Sequence, residues 1–320
     1  MGFTHSLHVR YNFYMDIPSF PDFTPITIEL KNEIHARLSL APDGVSEFTF
    51  SGLYLFKNRY QYKISKLEGR TFIISGVKPQ KAPEDETSNI PKNFFMTPCA
   101  APGCGVLKEL FKTHDYWKNI PESILIPARK RLEKLGIEIT EDRDNFDYLY
   151  LRTDLAELPG KKFHKKRNLV AQFQKFYTHE EKPLTPELVP EAMKVLEEWR
   201  AGKNDDGDYI ACREALELFE ELGMKGLLFY ANGNPVGWCL GEPIACNRIF
   251  IIHFEKGLDC CKGIYQYINK AFAASLPEYF THINREQDLG DEGMRQAKMS
   301  YRPSGFVRKY TGCIRDRKLP

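Results

Sequence analysis

Five consecutive polar residues, Asn284-Arg285-Glu286-Gln287-Asp288, stand where a short strand pattern, Thr281–Arg285, gives way to a helix pattern, Gly290–Ser300. Backbone donors and side chains at such a junction face one gap. Arg285 supplies a fixed cation that can hold a carboxylate or phosphate by two hydrogen bonds. Glu286 supplies an anion for an ammonium, so the two could grip an amino acid by both ends. Capping of the helix by Asp288 or Asp291, or an internal Arg285–Glu286 pair tying strand to helix, would explain part of the cluster. One cap would not require Asn, Arg and Glu as well, so Asn284, Arg285, Glu286 and Asp288 are read as lining a site.

Basic residues crowd a second stretch. From 161 to 177 there are six Lys/Arg and no Asp/Glu, giving +6 in a chain whose net charge is +2. Lys161, Lys162, Lys165, Lys166, Arg167 and Lys175 fall mostly off an apolar stripe of Phe163, Val170, Phe173 and Tyr177 at helical spacing. A solvated helix face usually mixes signs, whereas an unbalanced one attracts a polyanion or an anionic surface. Lys165, Lys166 and Arg167 are expected to meet phosphates, with His164 and Asn168 beside them. The alternative is a face that is only solvated.

These groups must be carried by ordered elements. The basic helix follows a strand at Phe146–Leu151 and a break at Pro159-Gly160. Upstream, the patterns predict a helix at Ile26–Leu40 and a stretch at Ser46–Lys57 that fits strand or helix. A hairpin of Tyr60–Lys66 and Arg70–Val77 follows, then a polar loop at Lys78–Pro91 and a strand at Asn93–Pro98. Helices are expected at Val106–Thr113 and Pro127–Leu135. Downstream come helices at Leu188–Trp199, behind Thr185 as N-cap, and at Tyr209–Leu222, with Asp205–Asp208 as a surface turn between them. A meander of Gly226–Ala231, Val236–Gly241 and Arg248–Glu255 is next, then a helix at Gly263–Ala274 and a last strand at Gly305–Thr311. Both halves run helices, hairpin, strand, helix, strand. That suggests a structural duplication joined near 146–155, an α+β layer fold, and domains at 1–150 and 151–320.

At 320 residues, 42% hydrophobic and 28% charged, the chain is globular and comfortable as two domains. No apolar run approaches the roughly 20 residues of a membrane span, and the first residues lack a signal-peptide core. The eight cysteines include no Cys-x-x-Cys, and no Cys pair lies near a His pair at zinc spacing. A cytoplasmic protein with reduced thiols and no metal is expected.

Three stretches taken together, Gly160–Asn168, His253–Asn269 and Ile283–Pro303, resemble a largely uncharacterised bacterial family related to the C-terminal domain of phosphatidylglycerol lysyltransferase. Ser46–Ile64 is similar to that family's N-terminal half, so the resemblance covers nearly the whole chain. It implies two tandem GNAT-like domains, each a mixed, mostly antiparallel sheet flanked by helices. It also implies transfer of an acyl or aminoacyl group from aminoacyl-tRNA or acyl-coenzyme A to an amine or hydroxyl. A phosphatidylglycerol acceptor is not expected, because the lysyltransferase's membrane domain is missing from this chain.

A coenzyme A user of this fold holds the pyrophosphate on a Gly-rich turn leading into a helix. Here that place is Gly257–Gly263. It keeps Gly257, Lys262 and Gly263, loses the closely spaced glycines, and puts Asp259 where an anion should sit, so aminoacyl-tRNA is preferred as donor. Lys262 and Gly263 would belong to the donor site. Glu255, at a strand end, would be the base or the anchor for a substrate amine, and Tyr301 a proton donor. Arg285 and Glu286 would complete the catalytic set. A surface carboxylate and a buried tyrosine are the plainer alternatives for Glu255 and Tyr301. A function of another class is a catalytically silent module that holds RNA, a nucleotide or an anionic membrane surface. Convergence of Glu255, Arg285 and Glu286 on one place would favour the enzyme, and scatter the module.

Overall fold

Tyr209–Leu222 shows pattern becoming structure directly. Ala211, Cys212, Ala215, Leu216, Phe219 and Leu222 recur at three- and four-residue spacing and all are buried, and Gly223 closes the helix at a φ of 76°. The ambiguous stretch after Ser46 resolves as a helix because Thr49 caps it, its hydroxyl oxygen accepting from the Gly52 N–H at 2.9 Å. The computed structural model describes residues 16–67, 71–79, 92–203 and 207–315. Most of the expected 78–91 loop and much of the 205–208 turn lie outside the described residues.

The first part of the chain gives β1 (Thr24–Pro25), α1 (Lys31–Leu38), α2 (Phe50–Leu55), α3 (Lys57–Tyr60), β2 (Lys63–Leu67), β3 (Thr71–Val77) and β4 (Asn93–Met96). Next are α4 (Cys104–Thr113), β5 (Tyr116–Pro121), α5 (Glu122–Lys134), β6 (Ile137–Glu141), β7 (Asp147–Leu151), α6 (Arg152–Glu157) and α7 (His164–Phe176). Then β8 (His179–Pro183), α8 (Val189–Ala201), α9 (Tyr209–Leu222), β9 (Lys225–Ala231), β10 (Asn234–Ile244) and β11 (Ile249–Gly257) follow. The last are α10 (Ile264–Ser275), β12 (His282–Asn284), α11 (Glu292–Met299), β13 (Gly305–Val307) and β14 (Lys309–Ile314). Helix α5 begins at Glu122 and carries Pro127 inside it, where the sequence pattern suggests a start.

Two seven-stranded sheets result, ordered β1-β2-β3-β4-β5-β14-β6 and β8-β9-β10-β11-β12-β7-β13. The two orders match position for position. Each sheet is antiparallel apart from one parallel pair, β4·β5 or β11·β12, joined across by α4 or α10. The duplication is therefore present, but the chain does not part at 150. Strand β7 leaves the first half to lie between β12 and β13, and β14 returns to lie between β5 and β6. The single strand expected at 305–311 is two strands in different sheets, because the chain crosses between halves at Arg308. One apolar core, including Leu30, Phe50, Phe94, Trp238, Leu240 and Phe254, is shared by both halves. Helices cover the outer face of each sheet.

Where the strands cross, two charges meet. Asp147 opens β7 and Lys309 opens β14. Their side chains are fully buried and 2.7 Å apart. The Ser46 N–H and hydroxyl donate to Asp147 at 2.8 and 2.7 Å, and Lys309 also donates to Ser46 and Glu47. Removing one partner of such a pair leaves an uncompensated buried charge. Lys309→Met is expected to lose about 3–5 kcal/mol in guanidinium unfolding, and Asp147→Asn/Lys309→Met to recover much of it. A single-variant cost below about 1 kcal/mol would mean that the pair does not hold the crossing.

Candidate active site

Strands β11 and β12 stay paired only from Ile249↔His282 to Ile251↔Asn284. Strand β11 runs on to Gly257, while the chain after Asn284 turns to Tyr148. The Arg285 N–H donates to the Tyr148 carbonyl at 3.0 Å, and the Tyr148 N–H donates to the Glu286 carbonyl at 3.1 Å. The strands part there, and polar side chains gather on the α10 side. The Glu255 carboxylate accepts from Asn269 Nδ2 of α10 at 2.9 and 3.0 Å and from an Arg285 nitrogen at 3.2 Å to each oxygen. The Arg285 guanidinium lies 5.3 Å from the centre of the Tyr301 ring, and Lys166 Nζ of α7 lies 3.9 Å from it. Burial pushes the Tyr301 hydroxyl up to about 12 although Arg285 opposes it, so the phenol keeps its proton at neutral pH. Burial, with the Arg285 charge, pulls Lys166 down to about 8. The Tyr301 hydroxyl, beside Gln266, and Asn269 Oδ1 are buried without a well-formed hydrogen bond.

Glu286 does not join this group. Leu240 faces Phe254 and Gly241 faces Ile252, which leaves His253 unpaired in a β-bulge. Gly241 permits the bulge, since a Cβ there would come within 1.9 Å of the Ile251 carbonyl oxygen. The extra residue breaks the alternation of side chains. Glu255 therefore points to α10, while His253 points to the first half, where a Cβ on Gly52 would lie 4.0 Å from its ring. His253 Nδ1 is 2.8 Å from Glu286 and Nε2 is 2.9 Å from Glu242. Arg285 and Glu286, adjacent in sequence, thus serve opposite faces of the sheet, and the expected convergence of Glu255, Arg285 and Glu286 is replaced by a split.

The other candidate residues divide between solvent and scaffold. Asn284 is buried, donating to the Gly44 carbonyl at 2.8 Å and accepting from the Glu286 N–H at 2.7 Å. Asp288 is buried and accepts from Arg143, Tyr148, Arg295 and the Gly290 N–H. Lys161, His164, Lys165, Asn168 and Lys262 are exposed. Lys162 pairs with Asp154 at 2.7 Å, and Arg167 donates to the carbonyls of Leu158 and Gly160. Gly263, at φ 91°, packs so closely on α7 that a Cβ would lie 2.3 Å from the Leu169 carbonyl oxygen. Sequence reading missed His253, Glu242, Glu47, Asp147 and Lys309. The available signal was weak, a polar residue interrupting an apolar run, as His253 and Glu242 do.

Burial opposes a charge on His253, but the hydrogen bonds that its ring donates to Glu242 and Glu286 outweigh it and push the imidazole from 6.5 up to about 10. Between those values the folded protein holds a proton that the unfolded chain releases, so the free energy of unfolding falls as pH rises. Stability in denaturant should decline from about pH 6.5 towards pH 10 more steeply than in His253→Gln. Parallel profiles would show that the imidazole is neutral.

Residues 39–313 match the family described as phosphatidylglycerol lysyltransferase, C-terminal. A crystal structure of a conserved protein of unknown function from Bacteroides thetaiotaomicron is 30% identical, with a TM-score of 0.78 over 91% of this chain and 99% of that one. L-PGS from Bacillus licheniformis shares the fold at 14% identity, with a TM-score of 0.60 over 95% of this chain and 96% of that one. An uncharacterised protein of Mycoplasmoides gallisepticum is 26% identical over an alignment of 190 positions that covers 55% of this chain and 58% of that relative. The chain thus spans little more than half the length of that curated relative. Among the described residues no helix is long and apolar enough to cross a membrane. The fold is α+β, two tandem GNAT-like halves of the general acyltransferase type. The family match takes in β7, nearly all of β14 and every residue at the opening between β11 and β12, and the chain belongs to the phosphatidylglycerol lysyltransferase C-terminal family.

Proposed function

We propose that the chain transfers an acyl or aminoacyl group from a tRNA ester to an amine or hydroxyl. The observation that carries this reading is the meeting of Glu255, Arg285, Lys166 and Tyr301 where β11 and β12 part, in a chain of this family. The acceptor's nitrogen or oxygen attacks the ester carbonyl carbon, and Glu255 takes the proton that it loses. Arg285 and Lys166 offset the negative charge that builds on the carbonyl oxygen. Tyr301 gives its proton to the departing ribose oxygen as that bond breaks, and solvent returns a proton from Glu255 to Tyr301. The exposed Lys161, His164, Lys165 and Asn168 would meet the donor's phosphates. A coenzyme A pyrophosphate fits poorly at 257–263, because the Leu169 carbonyl fills the free side of Gly263 and the exposed Asp259 repels an anion.

A catalytically silent module that holds RNA, a nucleotide or an anionic membrane surface is favoured by the separation of Glu286 from Arg285 and by the existing Arg285–Glu255 pair. Tyr301→Phe separates the two. The hydroxyl it removes makes no well-formed hydrogen bond, so unfolding should change by less than about 0.5 kcal/mol. Release of radiolabelled amino acid from bulk charged tRNA to an added amine should fall about 10²-fold or more. Wild-type binding of charged tRNA without turnover would leave the module.

The basic helix is tested at residues without a structural duty. Arg167 secures the carbonyls before α7, so Lys161→Glu/Lys165→Glu is the informative variant. It should keep the melting temperature and weaken tRNA binding. Every phosphate that the variant can no longer neutralise should lower the log–log salt slope by about 0.7 to 0.9. An unchanged slope would make the face merely solvated.

A further inference from the structure

We propose that Cys260 and Cys261 are a thiol–disulfide modification site for low-molecular-weight disulfides, and that its oxidation shifts the seat of α7. Such a site is independent of the transfer reaction. The two cysteines are adjacent in the turn between β11 and α10, with their Sγ atoms already 3.8 Å apart. Cys260 is exposed and Cys261 buried, the asymmetry of an accessible attacking thiol and a protected resolving one. Burial and the neighbouring Cys260 push the Cys261 thiol up to about 11, so it stays protonated until the first thiol has reacted.

The exchange balances without any further reagent. The Cys260 thiolate attacks one sulfur of an external disulfide and expels a thiolate. Cys261 then gives up its proton, attacks the Cys260 sulfur and expels the second. The protein dithiol loses two electrons and two protons, and the external disulfide becomes two thiols.

Closure cannot leave the turn as it is. Adjacent Cα atoms lie about 3.8 Å apart across a trans peptide, inside the roughly 4.4–6.8 Å that disulfides prefer. The backbone must therefore move, and such strained bonds are the easily reduced, regulatory kind. The turn has little slack towards α7. The Tyr177 hydroxyl donates to the Cys260 carbonyl at 3.4 Å, and Gly263 abuts Leu169 and Phe173. Movement here reaches the helix that carries Lys166 onto Tyr301.

The test treats the native full chain with excess oxidised glutathione, followed by peptide mass mapping and hydrogen exchange. The peptide holding both cysteines should lose two hydrogens, reversibly with dithiothreitol, and exchange across His164–Phe176 should change with it. Cys261→Ser should stop at a glutathione adduct on Cys260, and Cys260→Ser should form neither product, both with α7 exchange as in the reduced protein. A wild-type protein that stops at the adduct, or whose Cys260-Cys261 pair stays reduced while the exposed Cys99, Cys104 and Cys246 react, overturns the site. A disulfide that forms with α7 exchange unchanged overturns the coupling.

Discussion

The Asp147–Lys309 pair is the point on which the halves depend. Each residue is the first of a strand given to the other half's sheet, and both are buried completely. Two charges out of water cost several kcal/mol each, and their mutual attraction repays this only when the remaining bonding positions are filled. Ser46 and Glu47 fill them. A slip of one residue in either strand would turn its charge to the other face of the sheet, so the pair fixes the register of both crossings. Its influence reaches the candidate site. The Ser46 hydroxyl also lies 3.1 Å from the Gln287 side chain, and Lys298 holds the carbonyls of Arg285 and Gln287. The segment that presents Arg285 and Glu286 is thereby tied to the place where the strands cross.

From that anchored segment the two faces of the second sheet take different sets of charged groups. On the α10 side, Arg285 and Lys166 outnumber Glu255, so the local charge is positive. On the other side, one imidazolium sits between Glu242 and Glu286, and both its ring nitrogens are engaged by them, whereas Arg285 and Lys166 lie around Tyr301. The sheet between them is one backbone thick. A bulge at His253 and the adjacency of Arg285 to Glu286 produce this division, and the bulge depends on Gly241 accepting a close carbonyl. A developing oxyanion on the α10 side would meet Arg285 and Lys166, which is why Glu255, Arg285, Lys166 and Tyr301 carry the proposed chemistry, while Glu286 is engaged by His253.

Much of the fold was legible because burial writes itself as periodicity. Helix α9 begins and ends where its stripe of Ala211 to Leu222 does, and the β2–β3 hairpin follows its alternation. Strand β8 escaped notice because it is an exposed edge, His179–Pro183, with no buried residue to mark a face. The crossing at Arg308 escaped because alternation continues through a change of sheet. At the site, chemistry was legible by type and position, and direction was not. Arg285 and Glu286 read as a pair in sequence, yet neighbours at a strand end face opposite ways, and one meets Glu255 while the other meets His253. Likewise the +6 segment revealed its charge but not its division of labour. Arg167 closes the break at Gly160, while Lys166 reaches Tyr301.

The exchange of strands also explains why the family unit is the size that it is. The match runs from 39 to 313, past any simple halfway point and into β14. A cut at 150 would take β14 from the first sheet and part β7 from the rest of the second, leaving β5 and β12 with unpaired edges where they now have neighbours on both sides. It would also separate Asp147 from Lys309. Two tandem halves that look like repeats are therefore one cooperative unit, and the opening between β11 and β12 is bordered by a strand that the first half supplies. The chemistry proposed for the second half requires the first half as structure.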